Sequence, residues 1–208
     1  PPPPPSPSQP PPSPSPPPPS PSPTPPSPSP PPPPPSPAPA PPCTVELLKQ
    51  RPAGDKSWPI RCRGTTLGTA DNELDLSGAH LSYGDFHDGT FIGAGTIKLD
   101  GAGLRSTNMS GAKLIADGGW GNSLVDLTGA DLTNASLSGA ELTALTIGLY
   151  GSSTIDLTNA TLDQVDLGGA TLTANSGSVG TIDFTDATVH QVDLSGTTLT
   201  ADSIVGLA

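Results

Sequence analysis

Aromatic side chains make up only 3 % of this 208-residue chain, and methionine occurs once. A core that fills a wide interior needs more bulk than that, so an ordinary globular packing is excluded. Long apolar runs are missing too: nothing approaches the roughly 18 residues of a membrane-spanning helix. Cations are scarce, with 8 Lys and Arg against 19 Asp and Glu and a net charge of −11, which argues against nucleic-acid binding through phosphate contacts. Only two cysteines occur, Cys43 and Cys62. A metal site needs more ligands nearby, whereas in an oxidising compartment the pair closes a loop of about 20 residues, worth on the order of 3 kcal/mol. The chain starts at Pro1 rather than at Met, which fits a processed, secreted product.

Proline is what the chain has in excess. Of its 31 prolines only Pro52 and Pro59 lie beyond residue 42, and residues 1–42 hold no charge and nothing larger than proline to bury. Proline fixes φ and restricts the residue before it, so this stretch has one cheap conformation, a polyproline II rod of roughly 130 Å. Short proline-rich ligands share the composition but carry a flanking basic residue, which is absent here. The Ser6-Pro7-Ser8 run and the oligo-proline stretch 31–37 resemble the hydroxyproline-rich glycoproteins of green-algal and plant walls and flagellar hairs. That resemblance implies hydroxylated, O-glycosylated positions. The candidates are Pro5, Ser6, Pro7, Ser8, Pro14, Ser15, Pro16, Pro21, Ser22, Pro23, Pro28, Ser29, Pro30, Ser36 and Pro37.

From Leu74 onward a five-residue beat takes over. Its central residues are Leu76, Leu81, Phe86 and Phe91, and four further sets of four begin at Leu99, Leu127, Leu157 and Phe184. All twenty centres are apolar. Two residues before each centre stands a second buried type: Leu or a β-branched residue in the first slot of each set, Ala in the second. Ala130-Asp131-Leu132-Thr133-Asn134 resembles in full the A(D/N)LXX consensus of the pentapeptide-repeat family. The resemblance implies an all-β fold, a right-handed quadrilateral β-helix of about five coils, with the centres pointing inward. Coils about 4.8 Å apart make a column of roughly 24 Å, in which each coil covers its neighbour. The beat is broken after every fourth pentad, at 94–96, 117–124, 145–154 and 175–181; these segments are expected to stack as loops along one edge, carrying Trp120 and Tyr150.

The domain organisation that follows is a rod at 1–42, a disulfide-stapled cap at 43–73 and the solenoid at 74–208. Five of the eight basic residues (Lys49, Arg51, Lys56, Arg61 and Arg63) fall in the cap, while residues 121–208 hold ten acidic residues and no Lys or Arg. The expectation is head-to-tail stacking, an acidic open end bearing Asp183, Asp193 and Asp202 meeting the basic cap of the next copy and propagating as a filament. Trp120 and Tyr150 are further contact candidates. Asn108, Asn134 and Asn159 begin N-x-[ST] sequons on outward positions. Asp75, Asp126, Asp156 and Asp183 form an outward column, broken by Lys98, that a calcium ion or a purely structural preference would explain. His80, His87 and His190 have no Cys or carboxylate at metal spacing, so no catalytic or metal constellation is expected, and no cofactor beyond covalent O-linked and N-linked glycans. The reading is a secreted structural subunit of a mastigoneme-like hair, surface fibril or wall, self-associating and meeting other wall or fibre glycoproteins, with no nucleic-acid partner and no membrane insertion. A glycan-binding module, or a DNA mimic of the kind found among pentapeptide-repeat proteins, stands as the alternative.

Overall fold

The computed structural model describes Ser13, residues 43–54 and residues 60–207. The rod expectation and its modification candidates, together with Lys56 and Trp58, lie outside the described residues.

Most of the first three pentads of a coil are a β-turn followed by one bridging residue, whereas the fourth is an extended strand. In the first, Ala79 N–H donates to the carbonyl of Leu76 (3.1 Å), and Gly78 between them sits at φ 62°. A positive φ at that turn position suits Gly, Asn or Asp, and the first corner of successive coils is occupied by Gly78, Gly101, Gly129, Asn159 and Asp186. The carboxylate preceding each centre completes the turn: Asp75, Asp126, Asp156 and Asp183 accept from the backbone N–H two residues on, at 2.8–3.0 Å. The Asp column is therefore accounted for by local turn chemistry, and Lys98 falls in register between Asp75 and Asp126.

Successive coils pair in parallel, producing four sides. The first side is a six-stranded parallel sheet formed by Leu74–Asp75, Thr96–Lys98, Ser123–Asp126, Ser152–Asp156, Val179–Asp183 and Ser203–Val205. The fourth is another, formed by Thr66–Thr69, Thr90–Ala94, Lys113–Gly119, Glu141–Thr146, Thr171–Asn175 and Thr198–Thr200. The second and third sides are narrower and rest mostly on single bridges, such as His80 to Gly103 to Asp131 and Arg61 to Asp85 to Asn108.

Seventeen of the twenty pentad centres are buried; Val189, Leu194 and Leu199, all in the last coil, are not. Phe86 and Phe91 pack with ring centroids 5.6 Å apart, and the small slot two residues before Phe86 is explained by them, since a Cβ on Gly84 would collide with the Phe86 ring.

Two expectations change. Stacking begins before residue 74: Arg61 bridges Asp85 and Leu67 pairs with Phe91, so Ile60, Cys62 and Leu67 already belong to a coil, all buried. The interruptions are also not loops for most of their length. The fourth-side strands run on past the corner, turn, and return as first-side strands, so each interruption is a two-stranded wing. Small side chains let the two layers close: Ala116, Ala144 and Ala174 are buried, and a Cβ on Gly180 would overlap the Ala174 carbonyl. The wings carry buried hydroxyls, with Ser123 Oγ 2.9 Å from Thr146 Oγ1 and Ser153 Oγ donating to the Asn175 carbonyl (2.7 Å). Each hydroxyl has a hydrogen-bond partner, which offsets the cost of taking it out of water.

The cap is the single described helix, Val45–Lys49, whose N-cap Thr44 accepts from Leu47 N–H. Leu48 is buried in the same cluster as Ile60 and Cys62, and the Cys43–Cys62 disulfide joins the cap to the first coil.

Candidate interaction surfaces

The described cap cations do not form an open positive patch. Arg51 is 5 % exposed, and its guanidinium donates to the carbonyls of His80 (2.8 Å) and Ser82 (2.9 Å). Lys49 pairs with Asp75 at 2.7 Å and Arg63 with Asp85 at 3.6 Å. The Lys49 ammonium and the Ser77 backbone N–H hold the Asp75 carboxyl far below the usual carboxylate range. Among the described cap cations only Arg61 lacks such a partner, and it is exposed. Elsewhere, the Glu73 carboxylate raises the Lys98 ammonium, and the pairs Arg105–Asp131 and Lys113–Glu141 link neighbouring coils. Apart from Arg61, the described Lys and Arg of the first three coils are thus paired with carboxylates of the same chain. Of the expected contact residues, Arg51 is buried as a staple holding cap to coil, while Lys49 and Arg63 are paired within the chain and remain exposed.

The acidic end candidates serve backbone roles. Asp183 and Asp193 accept from Thr185 and Ser195 N–H, the latter contact lowering the Asp193 pKa, and Asp202 accepts from Gly180 N–H at 2.7 Å. What the last coil exposes is apolar. Val189, Leu194, Ile204, Val205 and Leu207 are 37–48 % exposed, around a hollow lined by Ala187, Val189, Leu194, Gly206 and Leu207. In earlier coils the positions equivalent to Val189 and Leu194 are covered by the next coil. The unpaired backbone of Thr188–His190, Thr198–Thr200 and Ser203–Val205 forms strand edges at the same end.

A second apolar surface runs along the wings. Trp120 is 78 % exposed and Tyr150 95 %, accompanied by Ile147, Leu149 and Val179. The backbone beneath them is ordered by stacking: Ile147 and Gly148 N–H both donate to the Gly119 carbonyl, and Ser152 N–H donates to Asn122 Oδ1 at 3.0 Å. Sequence reasoning found the two rings but not the three aliphatic residues, which were hidden in segments read as loops.

The sequon residues are exposed. Asn134 and Asn159 stand at positive φ on the second and first corners, and Asn108 on the third side. None lies on the wing corner. His190 Nδ1 is 2.8 Å from Asp163 Oδ1 and His87 Nε2 is 3.0 Å from Asp88. The Asp163 partner comes from the preceding coil, a proximity that linear spacing does not show. Among the described residues no group of three or more His, Cys, Asp or Glu is placed to hold a metal.

Residues 123–144 match the family of pentapeptide repeats (8 copies). No curated protein matches the chain. Among solved structures it is similar to a pentapeptide repeat protein from the cyanobacterium Cyanothece 51142, at 20 % identity over 73 % of this chain and 67 % of that one, TM-score 0.21. It is similar to a pentapeptide repeat protein of the Arabidopsis thaliana thylakoid lumen, at 27 % identity over 61 % of this chain and 69 % of that one, TM-score 0.19. A third is QnrB1, a plasmid-mediated fluoroquinolone resistance protein, at 18 % identity over 67 % and 81 %, TM-score 0.21.

Proposed function

We propose that the chain is a non-enzymatic, extracellular structural glycoprotein: a pentapeptide-repeat solenoid, joined to a glycosylated proline-rich rod, that serves as a subunit of a surface fibre or wall layer. The observation that carries the reading is an uncharged, proline- and serine-rich stretch at residues 1–42 in the same chain as a β-solenoid closed by a disulfide. Solenoids stacked head to tail would extend the column into a fibre. Apolar and backbone groups dominate the contact, since among the described cap cations only Arg61 is left without a partner. The uncharged stretch of 29 prolines and nine serines among its first 42 residues supports the rod, and the sequons together with the closed disulfide support passage through an oxidising compartment.

Mass spectrometry of the protein from its native source tests the glycoprotein reading. Pentose and hexose ladders on hydroxyproline are expected within residues 1–42; an unmodified rod overturns it. One observation favours a second reading: residues 121–208 carry ten carboxylates and no Lys or Arg, a surface that a DNA-binding enzyme could mistake for a duplex. Inhibition of a topoisomerase by the purified solenoid would replace the structural reading with that one.

A further inference from the structure

Apart from Asp117 at the start of one wing and Asp202 beside Gly180, the wing edge is an uncharged strip on a strongly acidic molecule. Residues 118–125, 142–155 and 167–182 contain no Asp, Glu, Lys or Arg, although the chain carries a net charge of −11. On three consecutive wings this strip presents Trp120, then Ile147, Leu149 and Tyr150, then Val179, all between 49 % and 95 % exposed. A contiguous apolar patch rimmed by polar surface marks a contact site, and Trp and Tyr are the residues that dominate protein–protein contacts.

We propose that the occupant of this edge is the same edge of a second copy, so that two solenoids pair side by side. Three features favour a copy over another partner. Acidic surface everywhere else would repel a like molecule, and the strip is where that repulsion is weakest. The Asn134 corner is diagonally opposite the wing corner, and Asn159 and Asn108 are also off it, so N-glycans on all three leave the strip bare. The area is also adequate: the two rings offer roughly 300–400 Å² on each copy. With the three aliphatic side chains, a pair reaches about 1,000 Å², the threshold for a specific contact. The backbone under the rings is pinned by the coil ladder, so little order has to be gained on pairing.

This pairing does not depend on the end-to-end contact proposed above, and the two are separable. Leu194→Asp places a charge in the open last coil and blocks stacking at the end without touching the wings. The full-length L194D chain is expected to sediment as a dimer at about 50 µM, and adding W120S and Y150S is expected to weaken that dimer at least about thirtyfold, leaving monomer. Circular dichroism unchanged by W120S/Y150S, both exposed positions, establishes that the fold is intact. An L194D chain that is monomeric at that concentration overturns the proposal, as does a dimer indifferent to W120S/Y150S. Quenching of Trp120 by a neutral polysaccharide in a monomeric L194D chain would likewise overturn it and assign the edge to a glycan.

Discussion

Glycine does two separable jobs here. At Gly129 the backbone sits at φ 64° with open space where a Cβ would stand; at Gly180 φ is ordinary, but a Cβ would strike the Ala174 carbonyl across the wing. Gly129→Ala is therefore expected to cost about 1 kcal/mol, from conformation alone. Gly180→Ala forces the two layers of the wing apart and is expected to cost about 3 kcal/mol or more. Denaturant unfolding of the two variants measures the difference. Carboxylates give a second residue-scale outcome. Asp75 is lowered chiefly by Lys49. For Asp131, burial is the largest single influence and raises it, but hydrogen bonds from Thr133 and the charge of Arg105 together outweigh that; Asp193 is lowered by Ser195. Their folded pKa values lie below the unfolded value of about 3.9, so the stability they confer is complete above that pH and is lost as pH falls below about 4. Thermal melts should be flat between pH 5 and 7 in this respect and fall towards pH 2; rising stability on acidification would contradict the assignment.

At the scale of elements, the solenoid was legible because its beat is short and strict. A centre every five residues, with Ala or a β-branched residue two before it, has few structural solutions, and the buried positions from Leu74 to Phe184 follow that pattern. The first half-coil was missed because its centre is Cys62, a residue read for its bridging chemistry rather than its packing, in a stretch rich in charge. The wings were missed because Gly and Ser dominate them. The alternation in Leu142-Thr143-Ala144-Leu145-Thr146 was the available signal, with Leu142, Ala144 and Thr146 buried and the residues between them half-buried. The candidate surface was only partly legible, since the exposure of Ile147 and Leu149 depends on where the wing turns. Because each coil contacts only its neighbours, damage at one end should stay local. Reducing the Cys43–Cys62 bond is expected to remove about 3 kcal/mol from the cap and first coil. In hydrogen exchange, amides of residues 60–69 and 74–94 should lose protection, while those of 125–172 should not. Uniform loss along the column would show a single cooperative unit instead.

For the whole molecule, charge and apolar surface are segregated. Lys and Arg are confined to the cap and the first three coils, where five of those described pair with carboxylates of the same or the adjacent coil. Beyond residue 120 the surface is acidic except for the wing strip and the open end. Acidic faces repel like copies, and in the proposed assembly the two uncharged surfaces are where copies meet, one extending the column and one doubling it. Raised salt screens the repulsion without weakening apolar contacts, so association should strengthen with ionic strength, the opposite of what an acidic-to-basic contact would show. Electron microscopy of the full-length chain across a salt series tests this most directly. The account predicts filaments that lengthen between about 0.05 and 0.5 M NaCl and shorten to pairs in L194D; particles that stay monomeric throughout, or filaments that dissolve as salt rises, would contradict it.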